Sequence, residues 1–179
     1  MQIYKQLPIV DAILNDWKEV IGKDFDGYRN HVYRMVNCCL WLETCSKQEM
    51  QKIQIAAAFH DIGIWVDNTL DYIPPSVPPA VKYLTDQGLQ DWQQEISLMI
   101  TEHHKLRSYK EHPQMLIELF RKGDLVDFSL GLFRFGLDKT MLRELKSIFP
   151  NAGFHKGLIK KSLKWFIRNP LNPAPMMKW

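Results

Sequence analysis

A histidine and an aspartate stand side by side at His60-Asp61, directly after the apolar run Ala56 to Phe59. A charge buried in such a setting is costly unless another group pairs with it. A divalent metal is an economical partner, because imidazole nitrogen and carboxylate oxygen both suit first-row cations. The dipeptide therefore indicates a candidate metal site.

Further potential ligands lie elsewhere in the chain, at His31, at His103-His104 and at Asp124. Antiparallel helices can bring such residues to one level of a bundle, which is how helical cores assemble metal sites. A metal ion held by three or four His and Asp ligands, with one coordination position open, lowers the pKa of a bound water and polarises a phosphoryl oxygen. This chemistry suits hydrolysis of a phosphate ester.

The elements that must position these side chains are predicted to be helical. Apolar residues recur at i, i+3, i+4 and i+7 along most of the chain, and no strand alternation competes with them. The pattern predicts an all-α bundle. We expect helices at about 8–21, 28–43, 47–60, 79–87, 91–104, 113–130, 139–149 and 157–167.

Local signals mark some of the boundaries. Ser46 and Glu49 have the spacing of a capping box, which would begin the third helix. Paired prolines within 65–79 predict a long loop there, and three prolines predict an irregular tail over 169–179. A long connection beside a polar cluster is more often functional than accidental.

Composition favours one ordinary globular domain. The chain has 179 residues, of which 46% are hydrophobic and 24% charged. A net charge of +3 without a basic run argues against a nucleic-acid partner. No uncharged apolar run is long enough to cross a bilayer, and the N-terminal residues lack the apolar centre of a signal peptide. With Cys38, Cys39 and Cys45 read as reduced, buried thiols, we expect a cytoplasmic protein without a membrane partner.

The order His31, His60-Asp61, Asp124 resembles that of the HD-domain superfamily of metal-dependent phosphohydrolases. The local contexts are similar as well, over 28–35, 57–63 and 123–127. The resemblance covers about residues 25–130. It implies an HD-domain helical bundle over 1–179, with additional C-terminal helices in 131–168 and the tail 169–179.

Carried over by position, the resemblance implies that His31, His60, Asp61 and Asp124 are the metal ligands. Asp61 would also help to orient the attacking water. His103 and His104 correspond to histidines that some members use for a second metal or for the substrate phosphate.

The chain departs from the two-metal pattern of the superfamily, because no histidine lies between Asp61 and His103. We therefore expect one divalent ion, with Mn, Fe, Co, Ni, Zn and Mg all open. Ile64 stands where a subset of the family has lysine, and no glutamate follows closely after Asp61. The general acid or base must come from elsewhere, and Asp67 is the candidate. The segment 65–72 is similar to an uncharacterised bacterial HD branch, which names no substrate.

Several assignments stay open. Arg34 follows His31 by three residues and could bind a substrate phosphate or form a structural ion pair. Adjacent helical side chains diverge by about 100°, so we expect only one of His103 and His104 to point inward. Asp127 shares a face with Asp124 and would support it or lie on the surface. His112 and His155, the two other histidines, are assigned to structure or surface.

These observations give three functional hypotheses. The first is a phosphohydrolase acting on a small phosphorylated metabolite or nucleotide. The second is an HD-like iron oxygenase, and the third is a catalytically degenerate HD fold that serves as a binding module.

Overall fold

The computed structural model describes residues 2–112 and 115–177, and within these ranges it contains helices and no β-strand. The predicted all-α class is confirmed. Two short 3₁₀ turns, Gly22–Asp24 and Gln90–Trp92, interrupt the series of α-helices. The α-helices are α1 Pro8–Asp16, α2 Lys18–Ile21, α3 Phe25–Leu42, α4 Lys47–Phe59, α5 Gly63–Val66, α6 Ile73–Asp86, α7 Gln93–Glu102, α8 Met115–Phe128, α9 Lys139–Ile148 and α10 Phe154–Arg168.

Helix α3 runs through the middle of the protein and packs along α8. Its inner residues Val32, Met35 and Val36 are fully buried. Gly123 of α8 faces Cys39 so closely that an added Cβ would collide with the Cys39 thiol. The absence of a side chain at this glycine therefore allows the close approach of α8 that carries its polar residues up to α3.

Helix α4 begins at the predicted capping box. Ser46 Oγ accepts from the Glu49 backbone N–H (3.2 Å), and the Glu49 carboxylate accepts from the Ser46 N–H (2.6 Å). The alanines 56–58 at the other end are completely buried. Because α4 ends at Phe59, the chain turns inside the protein, and the next two residues are buried as well.

The predicted loop over 65–79 is wrong, because α6 begins at Ile73. Pro74 and Pro75 occupy its first turn, where the missing N–H groups would have no helical partner anyway. Pro78 and Pro79 lie inside the helix. Each removes one main-chain hydrogen bond, and the buried face of α6 outweighs that loss.

Other boundaries differ more modestly. The predicted first helix divides at Trp17, whose N–H bonds to Leu14 O at 3.1 Å instead of continuing the α-helical pattern. Cys38 and Cys39 are buried free thiols, whereas Cys45 is partly exposed, contrary to the expectation that all three are buried. The predicted start of a helix at Pro113 lies outside the described residues. Residues 169–177 form turns and bends, and no helix within the described ranges is long and apolar enough to cross a membrane.

Candidate metal centre

Six potential ligands converge at the middle of the bundle, and we call them the His/Asp cluster. One comes from the middle of α3, two from the turn after α4, two from the turn after α7, and one from within α8. None of the six is more than 8% exposed. The members are His31, His60, Asp61, His103, His104 and Asp124.

Four donor atoms form the first half of the cluster. His31 Nε2 and His60 Nε2 are 3.1 Å apart. Asp61 Oδ2 lies 3.3 Å from His60 Nε2 and 3.8 Å from His31 Nε2. Asp124 Oδ1 lies 3.4 Å from His31 Nε2 and 3.8 Å from His60 Nε2. Nitrogen and oxygen ligands about 2.1 Å from one metal ion are themselves a little over 3 Å apart, so these separations fit donors that share a cation.

The second oxygen of each aspartate faces the other pair of histidines. Asp61 Oδ1 lies 3.6 Å from His103 Nε2, and Asp124 Oδ2 lies 3.8 Å from His104 Nδ1. Donor atoms of Asp61, His103 and His104 also lie within 4.8 Å of one another. The two carboxylates therefore stand between two pairs of imidazoles.

Local acceptors hold the ligand histidines in the tautomer that a metal requires. In three of them Nδ1 is bonded to an oxygen that can only accept, so the neutral ring carries its proton there and leaves the Nε2 lone pair free. The three bonds are His31 to Asp127 Oδ2 (2.7 Å), His60 to Ala57 O (2.8 Å) and His103 to Ile100 O (2.6 Å).

Three buried atoms of the cluster have no hydrogen-bond partner: Asp61 Oδ1, His103 Nε2 and Asp124 Oδ2. An unsatisfied buried polar group costs about 1–3 kcal/mol. Asp61 Oδ1 lies 3.6 Å from His103 Nε2, and Asp124 Oδ2 lies 3.8 Å from His104 Nδ1, so the unpaired atoms lie where the two carboxylates face His103 and His104. The residues present therefore fit a bound metal ion.

The charges of the cluster also favour a cation. Burial by itself would raise the pKa values of Asp61 and Asp124, but the neighbouring histidines outweigh it and lower both. Burial would lower the pKa of His31, but hydrogen bonds to Asp124 and Asp127 raise it to about 9. In the absence of metal the site thus holds a proton on His31, which a metal ion must displace.

His104 differs from the other histidines in its partner. Burial and the charge of His103 lower its pKa to about 3, so the ring is neutral. Its Nε2 lies 2.7 Å from the hydroxyl of Tyr72, whose pKa is raised by burial and by Asp61. The protonated phenol therefore donates to His104. Nothing in the residue spacing indicated Tyr72, since its segment was predicted to be a loop.

The expectation that only one histidine of His103-His104 points inward is wrong. His103 is 2% exposed and His104 is 8% exposed, so both side chains are buried. The end of α7 is enclosed on two sides, by Asp61 next to His103 and by Tyr72 and Phe128 next to His104. Side chains 100° apart can therefore both be buried.

Arg34, a candidate for substrate binding, does not reach the donor atoms. Its Nε and Nη2 donate to the two oxygens of Asp127, and its Nη1 donates to Phe149 O at 2.9 Å. Burial opposes ionisation of Asp127, but His31 and Arg34 outweigh it and hold the pKa of this carboxyl well below its usual range. This geometry corresponds to the ion-pair alternative, in which Arg34 fixes Asp127 and Asp127 fixes His31.

Asp67, the candidate general acid or base, is exposed and lies apart from the His/Asp cluster. It borders an open groove of about 720 Å³ between α1, α5 and α6, next to Trp17 and Tyr83. His155 is half-buried and bonds Asn151, and His112 is exposed. The structure thus brings together the ligand set and both histidines after α7, but not Asp67.

Aromatic rings cover the cluster. Phe154, the first residue of α10, stacks on His31 with centroids 4.5 Å apart, and Phe128 packs edge-on against His104 at 5.2 Å. Tyr28 donates to Ala58 O at 3.0 Å and accepts from the Asp61 N–H at 3.3 Å, which holds the turn after α4. His104 is the most exposed member of the cluster, so the cluster is closest to solvent at the edge beside Phe128.

Comparisons with protein families, curated proteins and solved structures found no match for this chain. The site therefore stands on its own geometry: a buried group of His and Asp side chains that could hold a metal ion.

Proposed function

We propose that this protein is a metal-dependent phosphohydrolase of the HD type that acts on a small phosphorylated metabolite or nucleotide. The observation that carries the proposal is the convergence of two Nε2 atoms and two carboxylates, with three buried atoms of the same cluster lacking a partner. Such a site can hold a cation, and its donor set is one that hydrolytic metal ions use.

In this proposal His31, His60, Asp61 and Asp124 hold one divalent ion, which is Mn, Fe, Co, Ni, Zn or Mg. When bound, the ion supplies Lewis acidity at a phosphoryl oxygen and lowers the pKa of a coordinated water. Asp127 keeps the His31 ring in its binding tautomer, and Arg34 keeps Asp127 in place.

The remaining members act on substrate and water. The unpaired Asp61 Oδ1 can accept a hydrogen bond from the attacking water and so orient it. His103 presents its free Nε2 to the same space, where its protonated form would donate to a phosphate oxygen. Burial disfavours a proton on His103, but Asp61 outweighs this and raises the pKa of the ring, which favours that role.

Electrostatics explain why the metal is required for an anionic substrate. Without metal the centre contains three carboxylates, Asp61, Asp124 and Asp127, against the guanidinium of Arg34 and the proton on His31. A phosphate would be repelled from this cluster unless a divalent cation were present. Metal binding and phosphate binding are thus coupled in this proposal.

The test is a metal-stripped protein reloaded separately with each of the six ions. Metal content and hydrolysis of a broad phosphate-ester panel, including nucleotides, would be measured on each sample. We expect about one ion per chain and activity that Asp124→Asn abolishes, while the surface variant Lys110→Gln retains both. A fully loaded protein that is inert across the panel would contradict hydrolysis and favour the binding-module alternative.

A second candidate, an iron oxygenase, gains support from the second donor group of Asp61, His103 and His104. Two irons per chain with oxygen consumption, and no phosphate release, would favour this reaction. One ion per chain would exclude it.

A further inference from the structure

Helix α10 carries an apolar face that no other described part of the chain covers. On an α-helix of 100° per residue, four of its exposed apolar side chains fall within an arc of about 100°, which also contains Lys156 near the start of the helix. They are Ile159 (60% exposed), Leu163 (60%), Phe166 (51%) and Ile167 (79%). The opposite side of the helix, with Phe154 and Trp165, packs on the protein.

The same helix is strongly basic. It contains five cationic residues and no aspartate or glutamate, and none of the ion pairs found among the described residues involves them. These residues are Lys156, Lys160, Lys161, Lys164 and Arg168.

Part of this charge converges on a small cavity of about 150 Å³. Lys161, Lys164 and Arg168 line it together with Asn68 and Thr69 of the neighbouring segment. Three cations and two polar side chains suit a phosphate group, because a phosphate accepts several charge-assisted hydrogen bonds at once.

We propose that α10 is a docking helix that lies on an anionic phospholipid surface. An apolar arc beside a row of lysines is the pattern of a helix in the interface plane, with apolar side chains inserted and lysines at the headgroups. A second copy of the chain would bring two basic helices together, and a nucleic acid would leave the apolar arc exposed. The lack of a membrane-spanning helix does not bear on this mode of binding.

The experiment measures co-sedimentation of the full chain with two kinds of vesicle, phosphatidylcholine alone and phosphatidylcholine with about one-third phosphatidylserine, at low salt. We expect binding to the anionic vesicles alone, and loss of binding as salt is raised. Attraction near an anionic surface corresponds to about fivefold in affinity per lysine. Lys160→Gln/Lys164→Gln should therefore weaken binding by about 25-fold.

The matched control is Lys47→Gln/Lys110→Gln, which removes the same charge from two exposed lysines outside α10. It should bind vesicles nearly as the wild type does. Leu163→Ser/Ile167→Ser keeps every charge and should still lose binding by at least about tenfold, because these side chains insert into the lipid. Circular dichroism of each variant confirms that it is folded, as expected for changes at exposed positions.

Four results would overturn the proposal. The first is no binding to anionic vesicles, and the second is an equal loss in the control pair, which would mean a general charge effect. The third is full vesicle binding by the serine variant. The fourth is equally strong binding to soluble polyglutamate, which would indicate an acidic polymer rather than a lipid surface. None of these outcomes depends on phosphatase activity, so the proposal stands or falls independently of the metal centre.

Discussion

Helix α8 contributes to two buried polar clusters that differ in one respect. In the Glu118 cluster, the Glu118 carboxylate accepts from Arg121 Nε and Nη2 (2.8 Å each) and from the Tyr109 N–H (2.8 Å). Arg121 Nη1 donates to Lys105 O at 3.2 Å. In the His/Asp cluster, three buried atoms have no partner.

The difference separates a structural ion pair from a ligand site. Glu118 and Arg121 balance each other in charge, and their contacts use every oxygen of the carboxylate. The His/Asp cluster and Asp127 together contain more carboxylates than guanidinium groups, and three buried atoms of the cluster have no hydrogen-bond partner. Burial of charged residues is common to both, so the unpaired polar atoms are what distinguish the His/Asp cluster as a candidate cation site.

The largest expected effect is the loss of a proposed ligand from the candidate metal centre. His60→Ala should weaken metal binding by more than about 100-fold, beyond the range for groups that only orient a ligand. Metal content after dialysis and the metal-induced rise in Tm measure it. If this variant retained metal and showed the same metal-induced rise in Tm as the wild type, the His/Asp cluster would not be the metal site, and it would no longer differ in role from the Glu118 cluster.

Removal of one partner from the Glu118 cluster should affect stability and leave metal binding intact. Arg121→Met leaves a buried carboxylate without its guanidinium, which costs about 3 kcal/mol. Urea unfolding with and without metal should show the same loss in both conditions. A loss that appears only in the metal-loaded protein would mean that the Glu118 cluster belongs to the site.

Asp127 links the metal centre to Arg34 and should have an intermediate effect. Asp127→Asn weakens the bond that orients His31 and should reduce metal affinity by about 10- to 100-fold. Calorimetric titration with the metal that supports activity measures the change. An affinity equal to that of the wild type would show that Asp127 serves the ion pair alone.

The Glu118 cluster also predicts a pH dependence. Burial opposes ionisation of Glu118, but Arg121 and the Tyr109 N–H outweigh it and lower the pKa of this carboxyl. Its contribution to stability is thus present above the unfolded pKa of about 4.3 and is lost as the pH falls through the folded value. Unfolding free energies of wild type and Glu118→Gln should converge in acid; parallel curves would contradict this assignment.

The smallest effect is expected at Asp67. Because it lies in the open groove beside Trp17 and not in the His/Asp cluster, Asp67→Asn should change kcat by less than about twofold. Single-turnover kinetics with the best substrate of the ester panel would measure it. A large loss would mean that the groove closes over the centre during the reaction.

Local patterns were sufficient for much of the fold. The capping box at Ser46 and Glu49 begins α4 as predicted, because it involves contacts three residues apart. The proline-rich segment was misread, because the burial of α6 against the core outweighs the hydrogen bonds that Pro78 and Pro79 remove. The contacts that offset these lost hydrogen bonds come from residues distant in the sequence, so the local residue pattern does not indicate them.

For the candidate site, the sequence by itself determined the main donors and their burial: an alanine-rich helix end places His60-Asp61 inside the protein, and helical spacing allows His31 and Asp124 to face it. Only the tertiary structure decided how each group is used. Arg34 and Asp127 are 93 residues apart and Tyr72 and His104 are 32 apart, yet each pair shares a hydrogen bond. The pairing of Arg34 with Asp127 follows from the packing of α3 on α8, and the burial of His103 and His104 follows from the packing of α7 on α6 and α8. Such long-range contacts have no characteristic spacing in the sequence.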